Sequence, residues 1–294
     1  NERINGTFGE QARNYWNSKS LDAVEPINLP IDYPRSDVNE FSGHQLKFTI
    51  DPDKYERMEN FARQHNTTLF NFFRSVISIS LHKWTNQEEI IIGTPVAGRS
   101  HRQLEDQIGL FVNTLPLASS LEKEQSYADF LTTMSQDSLE VFKYQDFPLD
   151  IIIEELGVNR DTSRNPLFDI LMVVQNNAIS DGSIELRKQH GFNMEYFEAY
   201  AKQQGQNDGV APAAKFDLTF SFVNDPVLGF RLTIEYRDKL FKQETVEAFY
   251  RLFDYVTDQV MTNDTVSLAD IRSVDGSETE RILTSFNQAI ETHS

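Results

Sequence analysis

The sequence predicts an α/β domain built on a mixed sheet backed by helices. Residues 216–236 alternate apolar and polar side chains on both sides of a turn, and residues 167–174 form an almost unbroken apolar run. Segments at 67–84 and 242–261 repeat apolar residues at helical spacing. Strands and helices are mixed without the strict alternation of a doubly wound fold.

Taken in order, residues 10–19 (EQARNYWNSK) predict a short amphipathic helix, and EPINLPIDYPRSD, with three prolines, predicts an extended connector. FSGHQLKFTI alternates as a strand does, and Asp51-Pro52 opens a helix running to about Gln64. From Thr67 to Trp84 apolar residues occupy nearly every face, so this helix is expected in the core. EEIIIGTPVAGR gives a strand ending at Gly93, and LFVNTLPL gives a second one beyond a polar loop at 100–107. Helices follow at about 126–143 and 148–156, then the apolar strand from Leu167 to Val174. Phe216, Leu218, Phe220 and Phe222, with Phe230, Leu232, Ile234 and Tyr236 across NDPVLG, predict a hairpin with one buried face. A final helix at 242–261 carries Val246, Phe249, Phe253, Val256 and Val260. Residues 199–214 read as an excursion between strands, and residues from about 271 as a linker.

Composition narrows the function. With 294 residues, 39% of them hydrophobic, the chain has enough apolar mass for a packed core, yet no run approaches the roughly 18 apolar residues of a spanning helix. Its polar N-terminus has no signal-type apolar stretch, so a cytoplasmic location without membrane contact is expected. A net charge of -18 opposes binding to a phosphate backbone, so no nucleic-acid partner is expected. The absence of cysteine excludes disulfides, thiolate nucleophiles and cysteine-ligated metal.

Residue chemistry alone reveals no active site. The six histidines include no close pair for zinc, so no metal site is expected, and His101 lies in a charged loop where a solvated side chain is the simpler reading. GTPVAGR lacks the Gly-Lys-Ser/Thr ending of a phosphate-binding loop, and no Gly-x-Ser-x-Gly elbow is present.

Three stretches in order carry a resemblance. Ile108 to Thr114 (IGLFVNT), Tyr144 to Pro148 (YQDFP) and Arg160 to Asp169 (RDTSRNPLFD) resemble later signature motifs of nonribosomal peptide synthetase condensation domains, with support from GTPVAGR, KFDLTF and EYRDKLF. Departures stand at Ala118, where Arg is frequent in the family, and at Leu149 and Asp150, which replace Phe and Glu. The resemblance implies a fold similar to chloramphenicol acetyltransferase, two lobes with a tunnel between them. This chain is then the C-terminal lobe over residues 1–270, with 271–294 leading toward a downstream adenylation domain. The family's His-His-x-x-x-Asp-Gly motif belongs to the N-terminal lobe, so no catalytic residue is expected here and the isolated lobe is expected to be inactive.

In that scheme donor and acceptor peptidyl carrier proteins deliver substrates on phosphopantetheine arms, an amide forms, and no cofactor binds the chain directly. Asn113 and Thr114 are implied at the tunnel. For Asn113, hydrogen bonding to backbone at a strand end is an equal alternative. Arg99 either reaches a carboxylate of the N-terminal lobe or is a surface arginine. Asp146 and Pro148 are expected to fix a helix start, and Arg160, Asp161, Arg164 and Asn165 to tie a helix end to the strand at Leu167. The excursion at 199–214 is either a latch to the other lobe or an ordinary loop. An epimerization-domain lobe is the near rival, against which LFDILMVVQNN argues, and a non-catalytic partner-binding module is the distant one.

Overall fold

The computed structural model describes residues 2–38, 41–98, 111–158, 161–175, 213–225 and 229–274. A short helix α1 (Glu2–Asn5) and helix α2 (Thr7–Ser18) precede the connector, which runs without regular structure to β1 (Gly43–Thr49). Then come α3 (Pro52–Gln64), α4 (Leu69–Thr85), β2 (Glu89–Val96), β3 (Asn113–Ser120), α5 (Tyr127–Lys143), α6 (Leu149–Glu155) and β4 (Ile170–Gln175). Strands β5 (Leu218–Asp225) and β6 (Gly229–Arg237) and helix α7 (Gln243–Thr262) complete the body.

The six strands form one mixed sheet in the order β1-β6-β5-β4-β2-β3, as the sequence predicts in kind. Strands β5, β4 and β2 run parallel in the middle, and each edge adds antiparallel partners. The β5–β6 register sets Phe220 opposite Ile234 and Phe222 opposite Leu232, so the alternating residues meet on one face. That face is covered by α4 and α7: the Phe73 ring stacks on Phe222 at 4.0 Å, and Phe249 lies 5.3 Å from Phe220. Within β2, Ile90 and Ile92 join this larger core while Ile91 joins a second one with Trp16, Phe147 and Ile152. A strand that feeds two cores needs apolar residues on both faces, which is why its sequence is a continuous Ile run.

The start signal read at Asp51-Pro52 acts as the sequence predicts. The Asp51 carboxylate accepts hydrogen bonds from the amides of Asp53 and Lys54 at 3.0 and 3.2 Å, and Pro52 fills the first turn. Thr68 caps α4, which is buried at every residue from Asn71 to His82. Among the described residues no helix is long and apolar enough to cross a membrane.

Boundaries differ from expectation at several elements; β5 begins at Leu218, and Phe216 packs against the second core rather than on the hairpin's buried face. Helix α2 begins at Thr7 rather than at 10, and β2 continues past Gly93 to Val96 because Pro95 sits at the edge of a pair with Thr114. Strand β3 begins at Asn113 rather than at Leu110. Strand β4 begins at Ile170 rather than at 167, since Leu167 adopts a left-handed conformation (φ 68°) that no strand tolerates. The loop at 100–107, most of the excursion at 199–214 and the linker beyond 274 lie outside the described residues; packing of the body continues through Leu268 and Ile271.

Gly93 shows why β2 carries a glycine. A Cβ there would overlap the ring of Phe168 from the loop before β4. Gly93→Ala is therefore expected to cost about 1–3 kcal/mol in urea unfolding. Phe168→Ala alone should cost about 3–5 kcal/mol, and the two losses should be strongly non-additive in the double variant. Additive losses would show that the ring does not set this contact.

Candidate functional site

At the C-terminal end of the parallel strands, β2 and β3 part company and Asn113 stands at the start of β3 opposite Val96. Its side-chain amide nitrogen donates to the carbonyls of Gln145 and Phe147, both at 2.8 Å, and its oxygen accepts from the Leu149 amide at 3.2 Å. Two of the partners belong to the turn between α5 and α6, and Leu149 is the first residue of α6. Asparagine suits this position because one side chain supplies both donors and an acceptor to groups that the turn leaves unmatched. Thr114 is half-buried beside it in register with Pro95, and the neighbouring Val112 is 60% exposed.

Asp146 lies in the same turn, half-buried. Pro148 occupies the residue before the first turn of α6 rather than the first turn itself, and its carbonyl accepts from the amides of Ile151 and Ile152. The proline still fixes the entry angle, and the amide of Leu149 is satisfied by Asn113 instead of a local cap.

At the other end of the sheet the 161–169 loop and the strand ends enclose a group of buried charges. Asp217, fully buried just before β5, holds Arg35 of the connector through both carboxylate oxygens and lies 3.3 Å from the Arg237 guanidinium at the end of β6. Asp169, 2% exposed just before β4, accepts from Arg164 at 2.7 Å and from the Asn165 amide at 3.2 Å. The backbone joins the two acids, since the Asp217 amide donates to the Asp169 carbonyl at 2.9 Å. Asp161 accepts from the Ser163 amide and hydroxyl, closing a turn, while the Asn165 side chain donates to the Lys215 carbonyl.

The environment shifts these groups in directions that follow from burial and charge. Burial, then the nearby Asp217 charge, pushes Asp169 up, against the pull of Arg164 and Arg35. Burial pulls Arg237 down. For Arg35 burial also acts downward, but the hydrogen bond and charge of Asp217 outweigh it and leave it above its ordinary value. Hydrogen bonds from Ser163 hold Asp161 below the usual carboxylate range. Two clefts flank the group: one of about 480 Å³ beside Tyr33, Arg35 and Leu240, and one of about 500 Å³ beside Arg164 and Asp169.

A model of the condensation domain family matches residues 2–283. The chain belongs to the condensation domain family. It is 32% identical over its whole length to gramicidin S synthase 2 of Brevibacillus brevis, of which it spans 6%, and 33% identical over 98% of its length to tyrocidine synthase 3 of Brevibacillus parabrevis, of which it spans 4%. Among solved structures it resembles a four-domain nonribosomal peptide synthetase, holo-AB3403 bound to AMP and glycine (TM-score 0.78, 21% identity, 92% of this chain and 20% of that one). It also resembles the X-domain from teicoplanin biosynthesis (TM-score 0.74, 16% identity, 92% and 58%).

In this condensation domain chain, Asn113 physically joins two of the stretches singled out by sequence, at Ile108–Thr114 and Tyr144–Pro148. The described part of the third, residues 161–169, stands at the opposite end of the sheet with the buried charges. Arg99 and Arg160 lie outside the described residues. Sequence reasoning missed Arg35, Asp217 and Arg237 as partners; the charges in KFDLTF and EYRDKLF beside apolar strands are the trace they leave. Of the histidines described, His44 is 3.6 Å from Asp238, His65 is 3.2 Å from Asp264, and His82 is buried against the Gln87 carbonyl. No group of three possible metal ligands occurs among the described residues.

Asp217→Ala leaves the buried Arg237 and the half-buried Arg35 without this carboxylate and is expected to cost about 3–5 kcal/mol in denaturant unfolding. Asn113→Asp sets a carboxylate against two carbonyl oxygens, so it should destabilise more than Asn113→Ala in thermal unfolding. Hydrogen exchange at the Leu149 amide should accelerate in Asn113→Ala, which removes its acceptor.

Proposed function

We propose that this chain is the C-terminal lobe of a condensation domain that joins donor and acceptor aminoacyl or peptidyl groups tethered to carrier proteins. The acceptor amine attacks the donor thioester, the new carbon–nitrogen bond replaces the carbon–sulfur bond, and the donor arm leaves as a thiol. The histidine that takes the amine proton belongs to the N-terminal lobe. This lobe contributes one wall of the tunnel, with Asn113 and Thr114 at its edge and Arg99 reaching toward the other lobe. Phosphopantetheine arms are the tethers of the substrates, an adenylation domain follows residues 271–294, and the synthetase works in the cytoplasm.

The bridge from Asn113 to residues 145–149 carries the reading, because it makes one fixed edge from two stretches that are far apart in sequence. Coverage supports a single lobe: the chain spans 60% of the condensation domain of Monacolin K polyketide synthase MokA and 55% of the first condensation domain of the calcium-dependent antibiotic synthetase. A second reading, a partner-binding module, draws support from the X-domain, which has been seen in complex with OxyB.

The chain mixed with its separately expressed upstream lobe and loaded carrier proteins should yield condensed product on the acceptor carrier, read by intact mass. Neither lobe alone should do so, and replacing the upstream histidine should abolish product. Tight lobe association without any product would favour the binding module.

A further inference from the structure

Helix α2 lies across the unit that holds Asn113. Its Arg13 reaches Glu155 of α6 at 2.6 Å, and Lys19, immediately after α2, pairs with Asp137 of α5. Between these two anchors runs the turn from α5 to α6, whose carbonyls at Gln145 and Phe147 accept from Asn113. Ala12 and Trp16, one helical turn apart and at most 1% exposed, bury one face of α2 in the second core with Phe147 and Ile152.

The turn meets α2 through the rings of its first and last residues. Tyr144 stacks on Tyr15 with centroids 4.6 Å apart and planes 25° apart, and Phe8 lies 6.2 Å from the same ring. The Arg13 guanidinium stands 5.7 Å from the centre of the Phe147 ring and also donates to the Ile4 carbonyl at 3.1 Å. Serving a carboxylate, a carbonyl and an aromatic ring at once suits a planar group with several donors. The backbone between the two rings closes on itself, because the Phe147 amide donates to the Tyr144 carbonyl at 2.9 Å. Rings on one side of the turn therefore meet α2, while carbonyls of the same turn meet Asn113, both 2.8 Å from its nitrogen. A shift of α2 moves the rings, and a closed turn of this length passes the shift to the carbonyls.

An asparagine amide has two orientations that exchange donor for acceptor. The carbonyls of Gln145 and Phe147 and the amide of Leu149 select one of them. We propose that Arg13 and Tyr144 are positioning residues through which α2 fixes the orientation of the Asn113 amide at the tunnel edge. The catalytic consequence rests on the proposed amide-forming function. A misplacement of about 1 Å that starts far from the reacting atoms can cost on the order of a hundredfold in rate.

The NMR signals of the Asn113 side-chain amide, assigned in the full chain by their loss in Asn113→Ala, report this orientation directly. Tyr144→Ala and Arg13→Gln should move both amide protons toward the position of a free side-chain amide, and Tyr144→Phe, which keeps the stack, should leave them in place. Arg13 keeps 32% of its side chain exposed, so its replacement leaves the core packed and decides the matter even where Tyr144→Ala fails to fold. Combined with the upstream lobe and loaded carrier proteins, Arg13→Gln should lower kcat by roughly tenfold to a hundredfold, with KM for the loaded carriers within about twofold of the parent. Tyr144→Phe should match the parent in both constants. Unmoved Asn113 signals in Arg13→Gln would overturn the proposal, as would an unchanged kcat, a loss confined to KM, or a Tyr144→Phe variant as impaired as Tyr144→Ala. A parent pair of lobes that yields no product would instead refute the amide-forming function, and the Asn113 signals in Arg13→Gln would still decide whether α2 sets that amide.

Discussion

The two arginines around Asp217 tie the connector to the end of the β5–β6 pair and fix three separate parts of the chain on one carboxylate. Arg35 comes from the connector, Arg237 from the end of β6, and Asp217 immediately precedes β5, with Asp169, tied to it through the backbone, immediately before β4. Buried ion pairs are weak contributors to net stability, because desolvation offsets most of the attraction, yet removing one partner is costly. Their value here is geometric. The sheet face is specified to alternate residues, so a slip of one residue would turn Phe220 and Phe222 away from α4. A carboxylate that must meet two guanidiniums and an amide-linked neighbour at once permits a single register.

Asn113 applies the same logic at the other end with neutral groups. Its three hydrogen bonds reach 32 to 36 residues along the chain, from the first residue of β3 to the turn that starts α6. The sequence offers two readings of this residue, a place at the tunnel or hydrogen bonding to backbone at a strand end; the structure shows its amide engaged by backbone. A tunnel role, where it operates, therefore acts through the shape that Asn113 imposes on residues 145–149 as much as through the amide itself.

The fold was largely legible because its elements announce themselves locally. Helix α4 is apolar on every side, α3 opens on Asp-Pro, and the β5–β6 pair alternates cleanly. What could not be read is what depends on distant partners. Nothing near Arg74, a charge in the middle of the core helix, indicates that its guanidinium will meet Ser138 and the Ala118 carbonyl while burial draws its pKa down to about 10. Nothing in Asn-Pro-Leu indicates a left-handed leucine, and the Arg35–Asp217 pair spans 182 residues. The motifs located the candidate site by resemblance, whereas its hydrogen bonds and the cleft at 161–169 required coordinates.

Helix α6 links the two ends. Seven residues give a helix of about 10 Å, far below the length at which a helix is stable by itself, so its existence depends on what it touches. Its first amide is satisfied by Asn113, its middle is buried through Ile152 and Ile153, and Glu155 pairs with Arg13 of α2 at 2.6 Å. Leu156, immediately beyond its end, lines the cleft near Arg164. A helix held so completely by its neighbours transmits their positions rather than setting its own. The edge at Asn113 and the cleft at the far end of the sheet are therefore parts of one packed unit, and a substitution that loosens either should be felt along α6.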